Sequence, residues 1–79
     1  MPTIQKIPGP YRFFFYSFDC NEPRHVHVRR EKSLCKFWLD PVSLAANDGF
    51  SATELNRIRG MIVKNLDRLV EAWNEHCGE

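Results

Sequence analysis

No stretch of this chain stays apolar for the roughly 20 residues that a membrane-spanning helix needs. The N-terminal residues lack the charged and then apolar layout of a secretion signal. An excess of one charge is also missing, because 11 Lys and Arg stand against 10 Asp and Glu. These absences argue against a membrane span and against a general, strongly basic nucleic-acid binder. We therefore expect a cytoplasmic protein.

Cysteine is sparse, and its spacing carries no known motif. Cys20, Cys35 and Cys77 are scattered and odd in number, and no CxxC pair occurs. A zinc ribbon or a dithiol redox motif is therefore not indicated. For a reducing compartment we expect three free thiols. His76 and Cys77 lie beside each other near the C-terminus, where chains fray, so we expect that pair to be inert.

The 79 residues predict one domain, because a chain of this size builds one modest core and buries about 60–65% of its unfolded surface. An apolar content of 43%, with six Phe, two Tyr and two Trp, is sufficient for such a core. We divide the domain 1–79 into an irregular lead-in at 1–10, a sheet region at 11–46 and a helical region at 51–76.

Strand-favouring residues predict three strands, at 11–17, 25–30 and 34–39. A polar connection at 18–24 separates the first two strands, and a turn centred on Glu31 and Lys32 makes the last two a hairpin. In that register Val26 lies opposite Phe37 and Val28 opposite Cys35 on one face. The other face places His25 opposite Trp38 and His27 opposite Lys36. Residues 42–46 are a candidate fourth, edge strand.

The C-terminal third predicts a long helix. Ser51 and Glu54 fit a capping box, and apolar residues then recur at three- and four-residue steps. Gly60 lies inside this pattern, and Lys64 and Asn65 mark a candidate break, because an unbroken helix would be longer than a small sheet needs. We therefore predict an α+β fold, with a three- or four-stranded, mainly antiparallel sheet packed on this helix.

Several blocks of this sequence resemble one bacterial family, domain-of-unknown-function family number 4160. They are Phe-Phe-Phe-Tyr-Ser at 13–17, Asn-Glu-Pro at 21–23, His-Val-His-Val at 25–28, Lys-Phe-Trp-Leu-Asp-Pro at 36–41 and Leu-Val-Glu-Ala-Trp at 69–73. Arg24 and Cys35 depart from the residues that are usual there. The resemblance implies a small α+β domain, encoded beside another small gene as in toxin–antitoxin pairs. It implies no established activity.

The strand with His25 and His27 is the candidate functional segment, since two imidazoles on one face titrate near neutral pH. In one interpretation these histidines act as general base and acid in a metal-independent ribonuclease. Arg29 and Lys36 would then stabilise phosphate charge, and Trp38 would stack on a base. The same residues could also bind RNA without cleaving it.

Two other interpretations remain open at this point. In the first, His25 and His27 bind a metal ion together with Asp19, Glu22 or Cys20 from the preceding connection. In the second, the histidine face is a polar surface that a protein partner or a second copy covers. No cofactor is indicated by any motif. The function that we expect from the sequence is a component of a toxin–antitoxin-like pair, acting through protein or RNA contacts on this face.

Overall fold

The computed structural model describes residues 9–78. Its strands are β1 (Arg12–Phe14), β2 (His25–Arg30), β3 (Ser33–Leu39) and β4 (Val42–Asp48), its helices are α1 (Ala52–Lys64) and α2 (Leu66–Cys77), and a short 3₁₀ helix spans Asp19–Asn21. The strands form one antiparallel sheet in the order β1-β2-β3-β4. The predicted α+β fold is confirmed, and the candidate edge strand is present. Most of the predicted lead-in lies outside the described residues.

The register of the β2–β3 hairpin is the one that alternation predicts. His25 pairs with Trp38 and His27 with Lys36 on one face of the sheet. Val26 and Val28, which pair with Phe37 and Cys35, lie on the other face. The turn contains neither Gly nor Asn, and Glu31 adopts a positive φ of 54° instead. Two-residue hairpin turns need this left-handed backbone, which non-glycine residues adopt at some cost.

Strand β1 is shorter than the predicted strand over 11–17. The backbone N–H of Tyr16 donates to Asp19 Oδ2 at 2.7 Å. A donor that would otherwise extend the ladder is thus bound by a side chain of the connection. The chain therefore leaves the sheet after Phe14 and turns into the 3₁₀ helix.

The predicted interruption of the C-terminal helix is confirmed at Asn65, which separates α1 from α2. Ser51 caps α1 by accepting a hydrogen bond from the Glu54 amide at 3.2 Å. The Glu54 carboxylate does not return to the cap, because it accepts from the Tyr11 hydroxyl and from Arg30. Within residues 9–78, neither helix combines the length and the apolar character that a membrane crossing requires.

The hydrophobic core lies between the sheet and the two helices. Its buried members include Phe13, Phe15, Val26, Val28, Phe37 and Leu39 from the sheet side and Ile58, Ile62, Leu69 and Trp73 from the helices. Trp73 is fully buried, and its ring meets Phe15 edge-on with centroids 5.4 Å apart. Helix α2 is therefore anchored beside the segment that follows β1.

The expectation of three free thiols is wrong. Cys20 and Cys77 form a disulfide, with their Cα atoms 5.5 Å apart and a sequence separation of 57. Cys35 alone of the three is free, and burial raises the pKa of its thiol to about 12. The expectation that His76 and Cys77 fray is also wrong, because α2 continues to Cys77.

Candidate functional site

The helices pack on the face of the sheet that carries the core residues. We call the opposite face the second face. It carries Arg12, Phe14, His25, His27, Arg29, Leu34, Lys36 and Trp38, which alternate with the core residues along β1, β2 and β3. The connection between β1 and β2 folds over one end of this face. That fold-over decides which of the candidate residues remain accessible.

Asp19, in the 3₁₀ helix of the connection, brings the two histidines to one carboxylate. Its Oδ1 lies 3.1 Å from His25 Nε2, and its Oδ2 lies 3.1 Å from His27 Nε2. One ligand atom from each of the three residues lies within 4.8 Å of the other two. The side chains of Asp19 and His25 are 5% and 0% exposed, and that of His27 is 12% exposed. We call these three residues the His–Asp–His cluster.

The tautomer of His25 follows from its backbone neighbour. Nδ1 lies 2.8 Å from the carbonyl oxygen of Pro23. A carbonyl can only accept, so Nδ1 carries the proton, and the neutral ring keeps its lone pair on Nε2. That lone pair lies towards the carboxylate of Asp19, which is also an acceptor. The contact is favourable only when a proton or another cation lies between the two groups.

Within the described residues neither Nε2 atom has a hydrogen-bond partner, although each lies 3.1 Å from an oxygen of Asp19. Buried polar atoms are normally satisfied, so two orphaned ring nitrogens beside one carboxylate need an explanation. The site is enclosed mainly by aromatic rings. Tyr16 meets His27 edge-on at 4.6 Å, and Trp73 lies 5.1 Å from the ring of His25.

Burial and neighbouring charges shift the pKa values of Asp19 and His27 in opposite directions. Burial alone would raise the pKa of Asp19, but the Tyr16 amide and the two histidines outweigh it and hold that pKa below its usual value. Burial lowers the pKa of His27, and the carboxylate of Asp19 offsets only part of this shift. At neutral pH the cluster thus favours an ionised Asp19 and a neutral His27, which are the states that ligate metal ions.

The other predicted site residues are arranged around the cluster without entering it. Lys36 forms an ion pair with Glu22 and lies 4.5 Å over the ring of Trp38. The lysine holds the pKa of Glu22 below its usual value. Trp38 meets His25 edge-on at 5.6 Å, and Arg29 lies exposed two residues beyond His27. Glu22 thus pairs with Lys36 and also lies 3.8 Å from His25 Nδ1, on the side of the ring away from Asp19.

Full burial of His25 limits the catalytic interpretation. With no exposed surface on His25, a nucleic acid could reach only His27 in this arrangement. A cavity of about 210 Å³ opens beside His27 on the second face. It is lined by His27, Leu34, Cys35, Lys36, Ala46, Asn47 and Asp48. The accessible part of the site is thus the His27 side and this cavity.

No sequence pattern marks Tyr16 as a site residue, and from the sequence we expect His76 and Cys77 to be inert. Tyr16 contributes its amide to Asp19 and its ring to His27. Its carbonyl oxygen lies 3.1 Å from His76 Nε2, so the same residue joins the connection to α2. These contacts depend on the path of an irregular segment, for which the sequence offers no periodic signal.

The fold and the site define a small α+β domain with a buried His–Asp–His cluster. A family model described as a domain of unknown function, DUF4160, matches residues 11–74. The chain therefore belongs to the DUF4160 family, as the resemblance of its sequence blocks predicts. Comparisons with curated proteins and with solved structures found no match.

Proposed function

We propose that this domain binds a divalent transition-metal ion through Asp19, His25 and His27. The observation that carries the proposal is the pair of buried Nε2 atoms, each 3.1 Å from a different oxygen of one carboxylate and neither of them hydrogen-bonded. With metal–ligand bonds of about 2.0–2.2 Å, two ligand atoms on one ion lie about 2.8–3.6 Å apart, from the octahedral to the tetrahedral angle. The observed distances fall within that interval.

The surroundings of the cluster also suit a metal ion. Histidine ligands usually donate their other ring N–H to a backbone carbonyl or a carboxylate, which fixes the ligating tautomer. His25 does this through Nδ1 and the Pro23 carbonyl. Two histidines and one carboxylate are a ligand set for Zn²⁺ or Fe²⁺ that leaves further positions open. His27, next to the cavity, lies on the side from which a further ligand could enter.

Metal binding is tested by replacing each of two neighbouring carboxylates with its uncharged amide. Chelator-stripped protein, with its disulfide intact, is titrated with Zn²⁺ by calorimetry and by NMR of the histidine rings. We expect one site per chain, and we expect Asp19→Asn to weaken it at least about tenfold. Glu22→Gln serves as the matched control and should change the affinity by less than about twofold. Its exposed carboxylate pairs with Lys36 and lies 3.8 Å from Nδ1 of His25, which is not the ligating nitrogen. Unchanged ring signals on adding Zn²⁺, or equal losses in both variants, would contradict the proposal.

We also propose that the second face contacts RNA, because of its charge. Arg12 and Arg29 are exposed and lie directly opposite each other on β1 and β2. Two cations side by side attract a phosphate group more strongly than one does. Trp38 and the lysine above it lie on the same face. A toxin–antitoxin-like role, which the family resemblance alone suggests, would operate through this surface.

The RNA proposal predicts an effect that depends on which arginine is replaced. Arg29→Gln should weaken binding of a labelled single-stranded RNA and lower the slope of log affinity against log salt by about 1. Arg57→Gln, an exposed arginine on α1, removes the same charge and should leave the slope unchanged. Fluorescence anisotropy at several salt concentrations measures both. No binding at low salt would refute the proposal, and a homodimer seen by light scattering would favour a protein contact instead.

A further inference from the structure

The contacts between the β1–β2 connection and the end of α2 bring together a second group of ligand-type side chains. The Sγ atoms of Cys20 and Cys77 and a ring nitrogen of His76 all lie within 4.8 Å of one another. Cys20 is exposed, and the other two residues are partly buried. None of these residues belongs to the His–Asp–His cluster, although Cys20 directly follows Asp19 in the 3₁₀ helix.

We propose that Cys20, His76 and Cys77 form a second metal site, selective for a thiophilic ion such as Zn²⁺, when their disulfide is reduced. Two thiolates and an imidazole are a common zinc ligand set, and three protein ligands leave one tetrahedral position for water. In the oxidised protein the same sulfur atoms are joined to each other and cannot ligate a metal ion. One cluster thus has two alternative states, a covalent bond and a metal site.

The reduction step is an ordinary thiol–disulfide exchange. A dithiol reductant supplies two electrons and two protons, the Cys20–Cys77 bond breaks, and the reductant closes its own disulfide. Both cysteine side chains become thiols. Binding of Zn²⁺ then displaces the thiol protons to solvent, because the thiolate is the ligand. No further reactant is needed.

Contacts that do not depend on the disulfide hold the three ligands together after reduction. The ring of His76 stacks on Phe15 at 5.6 Å, and its Nε2 lies 3.1 Å from the Tyr16 carbonyl. Arg24 donates to the side chain of Asn74, which joins the connection to α2 a second time. The end of the helix therefore stays beside Cys20 whether or not the sulfur atoms are bonded.

The geometry of these contacts also prepares His76 as a ligand. Since a carbonyl only accepts, Nε2 donates to Tyr16, and the lone pair lies on Nδ1. This is the backbone-held tautomer that ligating histidines adopt. The Cα atoms of the two cysteines are 5.5 Å apart. Side-chain rotation at that spacing can open the sulfur atoms to the separation of about 3.8 Å that two thiolates on one zinc ion require.

Cobalt absorption distinguishes this site from the His–Asp–His cluster, because only a thiolate gives an intense near-ultraviolet charge-transfer band with Co²⁺. The protein is reduced, freed of reductant without air, and titrated with Co²⁺. In the Asp19→Asn variant, whose first metal site is weakened, we expect the band to saturate at one ion per chain. We expect the band to be absent from the oxidised protein. Displacement by Zn²⁺ should remove it. A reduced, folded protein without the band would overturn the proposal.

Variants assign the ligands. Cys77→Ser and, independently, the exposed Cys20→Ser should each abolish the band or weaken Co²⁺ binding strongly, and His76→Gln should weaken it at least about tenfold. Cys35→Ala is the matched control that keeps the band, since Cys35 lies in the core. Asp19→Asn should also keep it, which separates this test from that of the first metal site. A band that survives both serine variants, or that Cys35→Ala removes, would place the thiolates elsewhere and refute the assignment.

Discussion

Replacing Trp73 with alanine is expected to lower the free energy of unfolding by about 3–5 kcal/mol. Trp73 has no exposed surface, and its ring packs against Phe15 in the core and His25 in the site. The truncation removes a large apolar contact area and leaves a cavity that surrounding side chains fill only in part. Urea unfolding followed by circular dichroism measures the change.

A matched truncation on the same helical layer provides the control. Val63 lies on α1 with 57% of its surface exposed, so Val63→Ala should change the free energy of unfolding by less than about 0.5 kcal/mol. If Trp73→Ala were equally mild, α2 could not be the element that holds the connection and His25 in place. The site proposals would then lose their scaffold.

Local patterns of the sequence predict the parts of the fold that repeat regularly. Alternation along 25–30 and 34–39 determines the register of β2 and β3, because a slip of one residue would turn the valines away from the core. The serine at position 51 and the polar pair at 64–65 mark where helices begin and end, since capping chemistry is local. All of these predictions are confirmed.

The site could be predicted only in part. Alternation identifies the shared face of His25 and His27, but it does not show that the connection covers His25 completely. The placement of Asp19 depends on a 3₁₀ turn and on the Tyr16 amide, neither of which leaves a periodic signal. Pairing of Cys20 with Cys77 joins residues 57 positions apart, and sequence spacing carries no information about such a contact.

Replacing Asp19 with alanine should destabilise the metal-free protein by about 1–3 kcal/mol at neutral pH. The Tyr16 amide loses its acceptor, and the connection loses the hydrogen bond that holds its 3₁₀ helix against the end of β1. Asp19→Asn keeps an oxygen for the amide, so it should cost about 1 kcal/mol and isolate the effect of the charge. Denaturant unfolding in excess chelator measures both variants. Equal, negligible losses would show that Asp19 has no structural role.

The stability difference between the wild type and Asp19→Ala should also grow as the pH falls from about 7 to about 5. Burial lowers the pKa of His27, and Asp19 offsets part of this shift, so the alanine variant lowers that pKa further. When the folded state has the lower pKa, the unfolded state binds more protons. Stability is then complete above the unfolded value of about 6.5 and is lost as the pH falls through the folded one. A lower folded pKa makes that loss larger, so unfolding curves recorded across this interval should diverge for the two proteins. A constant difference would mean that the carboxylate does not act on the charge of His27.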